Sequence, residues 1–135
     1  MGCKIRPSFY ISHVGTDYNM VSKYSQYGSI GLHSTSHTTY VYSSKMHYNG
    51  EFLANKKMLQ EFANVTPKIS RAPNLDYNQF YFEAIKDLDI DIDSSVLEKS
   101  SGNFRYWPYT MDYGLAKGMC KLIDSCNWQP FKGLW

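Results

Sequence analysis

Two histidines in the sequence stand four residues apart, a spacing that suits the binding of one metal ion. His33 and His37 flank the triplet Ser34-Thr35-Ser36, and a separation of four places both rings on the same side of a helix or a strand. A zinc site needs a third and usually a fourth ligand. The other candidate ligands, none of which stands at a diagnostic spacing, are His13, Asp17, His47 and Cys3. We therefore interpret His33 and His37 as solvated strand residues and predict no metal and no cofactor.

The region around these histidines also resembles two elements of the ADP-ribosyltransferases. Ile11-Ser12-His13-Val14-Gly15-Thr16 is similar to their first strand, in which a histidine contacts NAD, and Gly31-Leu32-His33-Ser34-Thr35-Ser36 is similar to a later Ser-Thr-Ser element. The resemblance implies a small transferase or hydrolase with an NAD site. Its candidate catalytic residues are His13, Ser34, Thr35 and His37. This enzyme is one of two functional hypotheses.

The other hypothesis comes from aromatic residues near the carboxyl terminus. The segments 104–109 and 128–135 hold all three tryptophans, together with proline and glycine residues that oppose regular structure. Tyrosine, tryptophan and arginine on loops are common binding anchors. The candidate binding residues are Arg105, Tyr106, Trp107, Tyr109, Trp128, Phe131 and Trp135. They favour a non-enzymatic interaction or inhibitor module that binds a protein partner, or a nucleotide or single-stranded nucleic acid. We prefer this hypothesis because no complete catalytic set can be assembled from the sequence.

Four aspartates alternate with apolar residues at Asp87, Asp89, Asp91 and Asp93. The spacing is similar to that of a calcium-binding loop, but such a loop needs glycine at its sixth position, where this sequence has Ile92. Alternation of this kind is typical of a short strand with one apolar and one acidic face. We predict an edge strand whose charges oppose pairing with another chain.

The composition indicates one compact domain over residues 1–135. The fraction of hydrophobic residues is 43% and that of aromatic residues 16%, which is enough apolar surface for a core. The net charge of +2 argues against a dedicated reader of duplex nucleic acid. No apolar run approaches the roughly 18 residues of a membrane span. We therefore expect a cytoplasmic protein that does not bind membranes.

Local patterns predict strands in the first half of the chain. Residues 8–14 suit a strand that ends at Gly15, and residues 29–48 suit one or two strands before a hairpin turn at Asn49-Gly50. A helix over 18–26 is expected between them, capped by Asp17 and ended by Gly28 in a left-handed conformation.

Further helices are predicted from Phe52 onward, over residues 77–88 behind a capping Asp76, and over 111–126. The second of these should bury an aromatic face that includes Phe80 and Tyr81. Together these elements predict an α+β fold, in which a small antiparallel sheet from the amino-terminal half packs against about three helices.

Overall fold

Strands and helices alternate along the chain, and the strands form one parallel sheet. The computed structural model describes residues 4–40 and 42–96. In chain order the elements are β1 (Ser8–Ile11), α1 (Tyr18–Tyr24), β2 (Ser29–Leu32), α2 (Lys45–Ala63), β3 (Ile69–Ser70), a short 3₁₀ helix (Pro73–Leu75), α3 (Gln79–Asp87) and β4 (Ile92–Asp93). The strand order is β1-β2-β3-β4, and every neighbouring pair is parallel.

The antiparallel sheet expected from the sequence is therefore wrong. A helix lies between each strand and the next and returns the chain to the starting edge of the sheet, so successive strands run in the same direction. The error arose at Asn49-Gly50, which the sequence suggested was a hairpin turn. Helix α2 runs straight through both residues.

Burial explains why residues 45–51 are helical despite their modest helix propensity. The inward-facing positions of α2 recur every three or four residues and are Tyr48, Phe52, Asn55, Leu59 and Ala63. Ser44 caps the helix by accepting a hydrogen bond from the backbone N–H of His47. The free energy gained by burying this stripe outweighs local propensity.

The helix ends agree with the sequence in part. Asp17 caps α1, as predicted, by accepting hydrogen bonds from the N–H groups of Asn19 and Met20. Gly28 does not adopt the predicted left-handed conformation. It is required for a close approach instead, because a Cβ atom there would lie 2.2 Å from the carbonyl oxygen of Pro7. Asn78, not Asp76, caps α3.

An aromatic cluster forms the centre of the core between α2 and α3. The rings of Tyr48 and Phe52 pack on that of Tyr81 with centroid distances of 5.7 and 5.4 Å. Tyr81 is fully buried, as predicted, whereas Phe80 is 46% exposed and Phe82 takes its place in the core. The aromatic residues of this part of the chain therefore serve mainly to fill the interior.

The acidic run ends in β4, at the edge of the described sheet. The prediction of a strand over the whole run is wrong, because Asp87 ends α3, Asp89 has a positive φ of 59° and only Ile92–Asp93 is a strand. The predicted division into an apolar and an acidic face is wrong as well. Ile90 is buried while Ile92 is largely exposed, and the carboxylate of Asp93 receives hydrogen bonds from Tyr81 and Ser95.

Two further predictions lie outside the described residues: the helix over 111–126 and the aromatic segments 104–109 and 128–135. Across residues 4–40 and 42–96, no helix combines the length and apolar character that a membrane crossing requires.

Candidate active site

Polar side chains follow each strand at the carboxyl edge of the sheet. Ser12 follows β1, His33 follows β2, Arg71 follows β3 and Ser94 follows β4. In open parallel sheets, ligands bind in the crevice outside the carboxyl ends of the strands. The topology therefore brings residues that are distant in sequence to the edge where a site is expected.

A tight turn after β2 brings two imidazole rings together. We call residues 33–37 the histidine loop. Its two ends, His33 and His37, place their ring centroids 4.8 Å apart in an edge-to-face arrangement. Ser34 and His37 have positive φ angles of 62° and 54°, which fold the loop back on itself. Since β2 ends at Leu32, the pairing results from a turn and not from the periodicity of a strand.

A hydrogen bond orients the ring of His33. Its Nδ1 lies 2.8 Å from the carbonyl oxygen of Arg71. Because a carbonyl oxygen can only accept, Nδ1 carries the hydrogen and Nε2 is left as the atom that can bind a ligand. Burial lowers the pKa of His33, the hydrogen bond to Arg71 opposes that shift, and the charges of His37 and Arg71 reinforce it. These interactions favour the neutral ring.

Arg71 places a positive charge next to this pair. Its Nε donates to the carbonyl oxygen and the hydroxyl of Ser94 at 3.1 and 3.0 Å. Its guanidinium carbon lies 5.0 Å from the centroid of the Tyr10 ring, in a cation–π contact. Arg71 thus orients His33 through its backbone carbonyl. Its own exposed guanidinium is held in place by Ser94 and by the ring of Tyr10.

A polar cluster behind Arg71 links the ends of β3 and β4. Asp93 accepts hydrogen bonds from the backbone N–H and the hydroxyl of Ser95 and from the hydroxyl of Tyr81. Ser95 in turn accepts a hydrogen bond of 2.7 Å from the N–H of Ala72, the residue after Arg71. Burial raises the pKa of Asp93 to about 6, although these hydrogen bonds and the charge of Arg71 lower it.

The catalytic candidates from the sequence do not form one constellation. The exposed His13 pairs through Nδ1 with the hydroxyl of Tyr18 at 3.0 Å. The side chain of Ser34 is 0% exposed and cannot reach a substrate. Thr35 donates its hydroxyl hydrogen to the carbonyl oxygen of Glu51. Only His37 lies in the pair described above, beside His33.

Sequence reasoning did not identify Glu51, Asn55 or Arg71, and it treated Asp93 only as part of an acidic run. The available signal was the alternation of strand and helix predicted from residue 8 to the helix that follows Phe52, although no strand was predicted at Ile69–Ser70. Such alternation is typical of a parallel sheet, and it would have placed the residues after each strand at one common edge.

A sequence model of the polysaccharide deacetylases matches residues 7–92, which is more than half of the chain. The chain belongs to the polysaccharide deacetylase family. It is also 24% identical over 142 aligned positions to chitin deacetylase 8 from Bombyx mori. The alignment covers 98% of this chain and 37% of that protein, so the chain spans little more than a third of the length of this relative.

Several solved structures share the fold. A structure from Mycobacterium smegmatis, named a putative polysaccharide deacetylase, has a TM-score of 0.64 at 17% identity. The match covers 69% of this chain and 34% of the chain from Mycobacterium smegmatis. An acetyl xylan esterase from Clostridium thermocellum, solved in complex with a cobalt ion, has a TM-score of 0.56 at 20% identity, covering 67% and 44%. A pseudoenzyme from Bacillus anthracis has a TM-score of 0.57 at 13% identity, covering 64% and 32%.

Membership of a polysaccharide deacetylase family overturns both functional hypotheses drawn from the sequence. The matched family is that of the polysaccharide deacetylases, so neither an interaction or inhibitor module nor an ADP-ribosyltransferase-like NAD enzyme is correct. The expected protein, nucleotide or nucleic-acid partner is overturned by the same membership. In physical terms, the Ser-Thr-Ser triplet forms the turn between two histidines, and many of the aromatic residues fill the core.

The histidine pair of this family member fits part of a metal site. Imidazole nitrogen suits zinc, cobalt and related ions, and the bond to Arg71 leaves Nε2 of His33 free for that use. Within residues 4–40 and 42–96, however, no group of three histidine, cysteine, aspartate or glutamate side chains could hold an ion. The described residues could therefore supply two ligands, His33 and His37.

Proposed function

We propose that this chain is part of a metal-dependent enzyme that removes acetyl groups from an N-acetylated polysaccharide of the chitin type. The observation that carries the proposal is the His33–His37 pair beside Arg71 at the carboxyl edge of the sheet. The chain that carries this pair belongs to the polysaccharide deacetylase family. The relative from Bombyx mori, a chitin deacetylase, supports the substrate class. The expected cytoplasmic location stays a prediction.

His33, through Nε2, and His37 would supply two ligands of a divalent transition metal ion, and other groups would complete the coordination. The cobalt complex of the related esterase from Clostridium thermocellum supports this assignment. When bound, such an ion polarises an acyl carbonyl and lowers the pKa of a coordinated water. A neutral imidazole is the form that binds a metal, and the lowered pKa of His33 agrees with it.

The role of Arg71 in this proposal follows from its fixed charge. Hydrolysis of an acetyl amide develops negative charge on the acyl oxygen and releases acetate. A guanidinium held by Ser94 and Tyr10 beside the histidines can stabilise both anions without reorganising. Its exposure leaves the group accessible to a polymeric substrate.

Metal titration tests the proposal. Cobalt(II) added to the metal-free chain should produce visible absorption bands and a saturable binding isotherm. The variants His33→Ala and His37→Ala should lose this binding, because each removes one of two imidazole ligands. The matched control is His47→Ala, which changes an exposed histidine on α2.

The enzymatic arm uses the same variants on an acetylated chitin oligosaccharide, with released acetate as the readout. His33→Ala and His37→Ala should abolish any metal-dependent release that the wild type shows. A double variant, His33→Ala with His37→Ala, completes the test. The metal assignment is refuted if this variant binds cobalt as well as the wild type does.

A further inference from the structure

We infer that Glu51 is a positioning residue, whose carboxylate holds the histidine loop in the shape that brings His33 and His37 together. The inference rests on the proposed function, because it concerns the same pair of imidazoles. Glu51 lies on α2, and its hydrogen bonds to the loop go to the residues between the two histidines. It therefore acts through the loop and is not itself a catalytic residue.

One carboxylate oxygen of Glu51 receives four hydrogen bonds. Oε2 accepts from the backbone N–H groups of Thr35 and Ser36 at 3.0 and 2.9 Å. It also accepts from the hydroxyl of Ser36 at 3.1 Å and from that of Tyr40 at 2.8 Å. In addition, the backbone carbonyl of Glu51 accepts a bond of 2.7 Å from the hydroxyl of Thr35. The middle of the loop is thus attached to this residue.

The negative charge matters for this arrangement. Two consecutive backbone N–H groups that point at one atom form a concavity that favours an anion, and charge-assisted hydrogen bonds are about twice as strong as neutral ones. Burial raises the pKa of Glu51, but the hydrogen bonds from Ser36, Tyr40 and Thr35 outweigh it and lower the pKa. An amide in the same place would carry no charge and would present an N–H group on one side.

Asn55, one turn further along α2, holds the start of the loop. Its Oδ1 accepts a bond of 3.2 Å from the N–H of His33. The residue is fully buried, and its Nδ2 has no partner among the described residues. The N–H of His33 also donates to the carbonyl oxygen of Ile11 at 3.2 Å, so Asn55 and the end of β1 together hold the backbone of His33.

The loop needs such support because its backbone is strained. Ser34 and His37 both occupy the left-handed region, with φ angles of 62° and 54°. Non-glycine residues persist there only when surrounding contacts enforce the conformation. Without the carboxylate of Glu51, the loop can relax to ordinary φ angles, and the two rings separate.

The test replaces Glu51 with glutamine and measures the histidine pair in the metal-free chain. In the wild type, nuclear Overhauser effects should connect the rings of His33 and His37, whose centroids lie 4.8 Å apart. Glu51→Gln should weaken or remove these effects. Glu61→Gln, an exposed position on the same helix, should leave them unchanged.

Cobalt(II) affinity provides the second readout. Glu51→Gln should lose about 10- to 100-fold, as is typical when an outer group that orients a ligand is removed. Leu59→Ala, a buried change in the same helix, should lower stability but leave this affinity unchanged, which separates positioning from general destabilisation. Tyr40→Phe removes one of the hydrogen-bond donors to Glu51 and should cause a smaller loss of cobalt affinity than Glu51→Gln. This variant tests the inference if Glu51→Gln does not fold.

The outcomes separate the two proposals. If Glu51→Gln folds and keeps the ring-to-ring effects and the cobalt affinity of the wild type, the positioning role is wrong. If the wild type binds no cobalt at all, the metal assignment fails, and the ring-to-ring effects in the metal-free chain still decide whether Glu51 positions the pair.

Discussion

At the scale of single residues, Arg71 connects three parts of the candidate site. Its carbonyl oxygen selects the tautomer of His33, its Nε is bound by Ser94, and its guanidinium stacks on Tyr10. A lysine at this position would keep the charge but lose the fork-like donor geometry and the stacking. The residue is therefore a geometric part of the site as well as an electrostatic one.

The carboxyl of Asp93 should make the stability of the fold depend on pH. Burial raises its pKa to about 6 from the usual value of 3.8. The folded chain thus binds this proton more tightly than the unfolded chain does. Its contribution to stability is fully present below about pH 3.8 and is lost as the pH rises through about 6.

Asp93→Asn tests this titration. The free energy of unfolding of the wild type, minus that of the variant, should fall as the pH rises from about 3.8 to about 6 and then stay level. Urea denaturation at a series of pH values measures this difference. Asp91→Asn, which changes an exposed carboxylate two residues away, is measured alongside as the control. If the stability of Asp93→Asn depends on pH in the same way as that of the wild type, a group other than Asp93 is responsible for the pH dependence.

At the scale of elements, α2 holds the site together. The same helix buries Tyr48, Phe52 and Leu59 in the core and presents Glu51 and Asn55 to the histidine loop. These roles are compatible because Glu51 and Asn55 lie one turn apart, so both reach the same loop. Changes at Glu51 and Asn55 should therefore be felt at the site, whereas a change at Leu59 should act on the stability of the fold.

Gly50→Ala distinguishes the observed helix from the hairpin turn that the sequence suggested. In α2 the added methyl group has no atom within 4 Å, and alanine in a helix interior is favoured over glycine by about 0.5–1 kcal/mol. The variant should therefore be more stable by about that amount in urea denaturation. Gly15→Ala is the control, because Gly15 has a φ of +76° and its replacement should destabilise. Destabilisation by Gly50→Ala would indicate a positive φ at that position.

At the scale of the whole molecule, the fold defines a location but not an activity. The same architecture occurs in a pseudoenzyme from Bacillus anthracis and in an acetyl xylan esterase. A parallel sheet provides an edge at which loops converge, and the residues on those loops decide the chemistry. The case for a deacetylase therefore rests on the histidine pair and Arg71 and not on the sheet alone.

The stability of the whole molecule should depend on α2 at the centre of the packing. Leu59→Ala should lower the free energy of unfolding by about 2–5 kcal/mol, because the side chain is fully buried and its removal leaves a cavity. Leu53→Ala, on the same helix at a position 38% exposed, should cause a clearly smaller loss. Equal losses in chemical denaturation would argue against the described orientation of α2.

The sequence by itself determined the local features of this protein. The strand beginning at Ser8, the cap at Asp17, the helix containing Tyr81 and the burial of that ring all follow from interactions within a few residues. The spacing of His33 and His37 drew attention to the pair, but the sequence led us to interpret both as solvated strand residues without a metal. Each of the local features depends on short-range propensity or periodicity, which can be read along the chain.

Tertiary structure alone decided the direction of the strands and the composition of the site. Asn49-Gly50 is a turn by local preference, but burial of the α2 stripe makes it helical, and this makes the sheet parallel. The parallel arrangement brings Arg71 to His33, and the packing of α2 brings Glu51 to the histidine loop. Contacts between residues so far apart in sequence depend on how the elements pack, which local preferences do not encode.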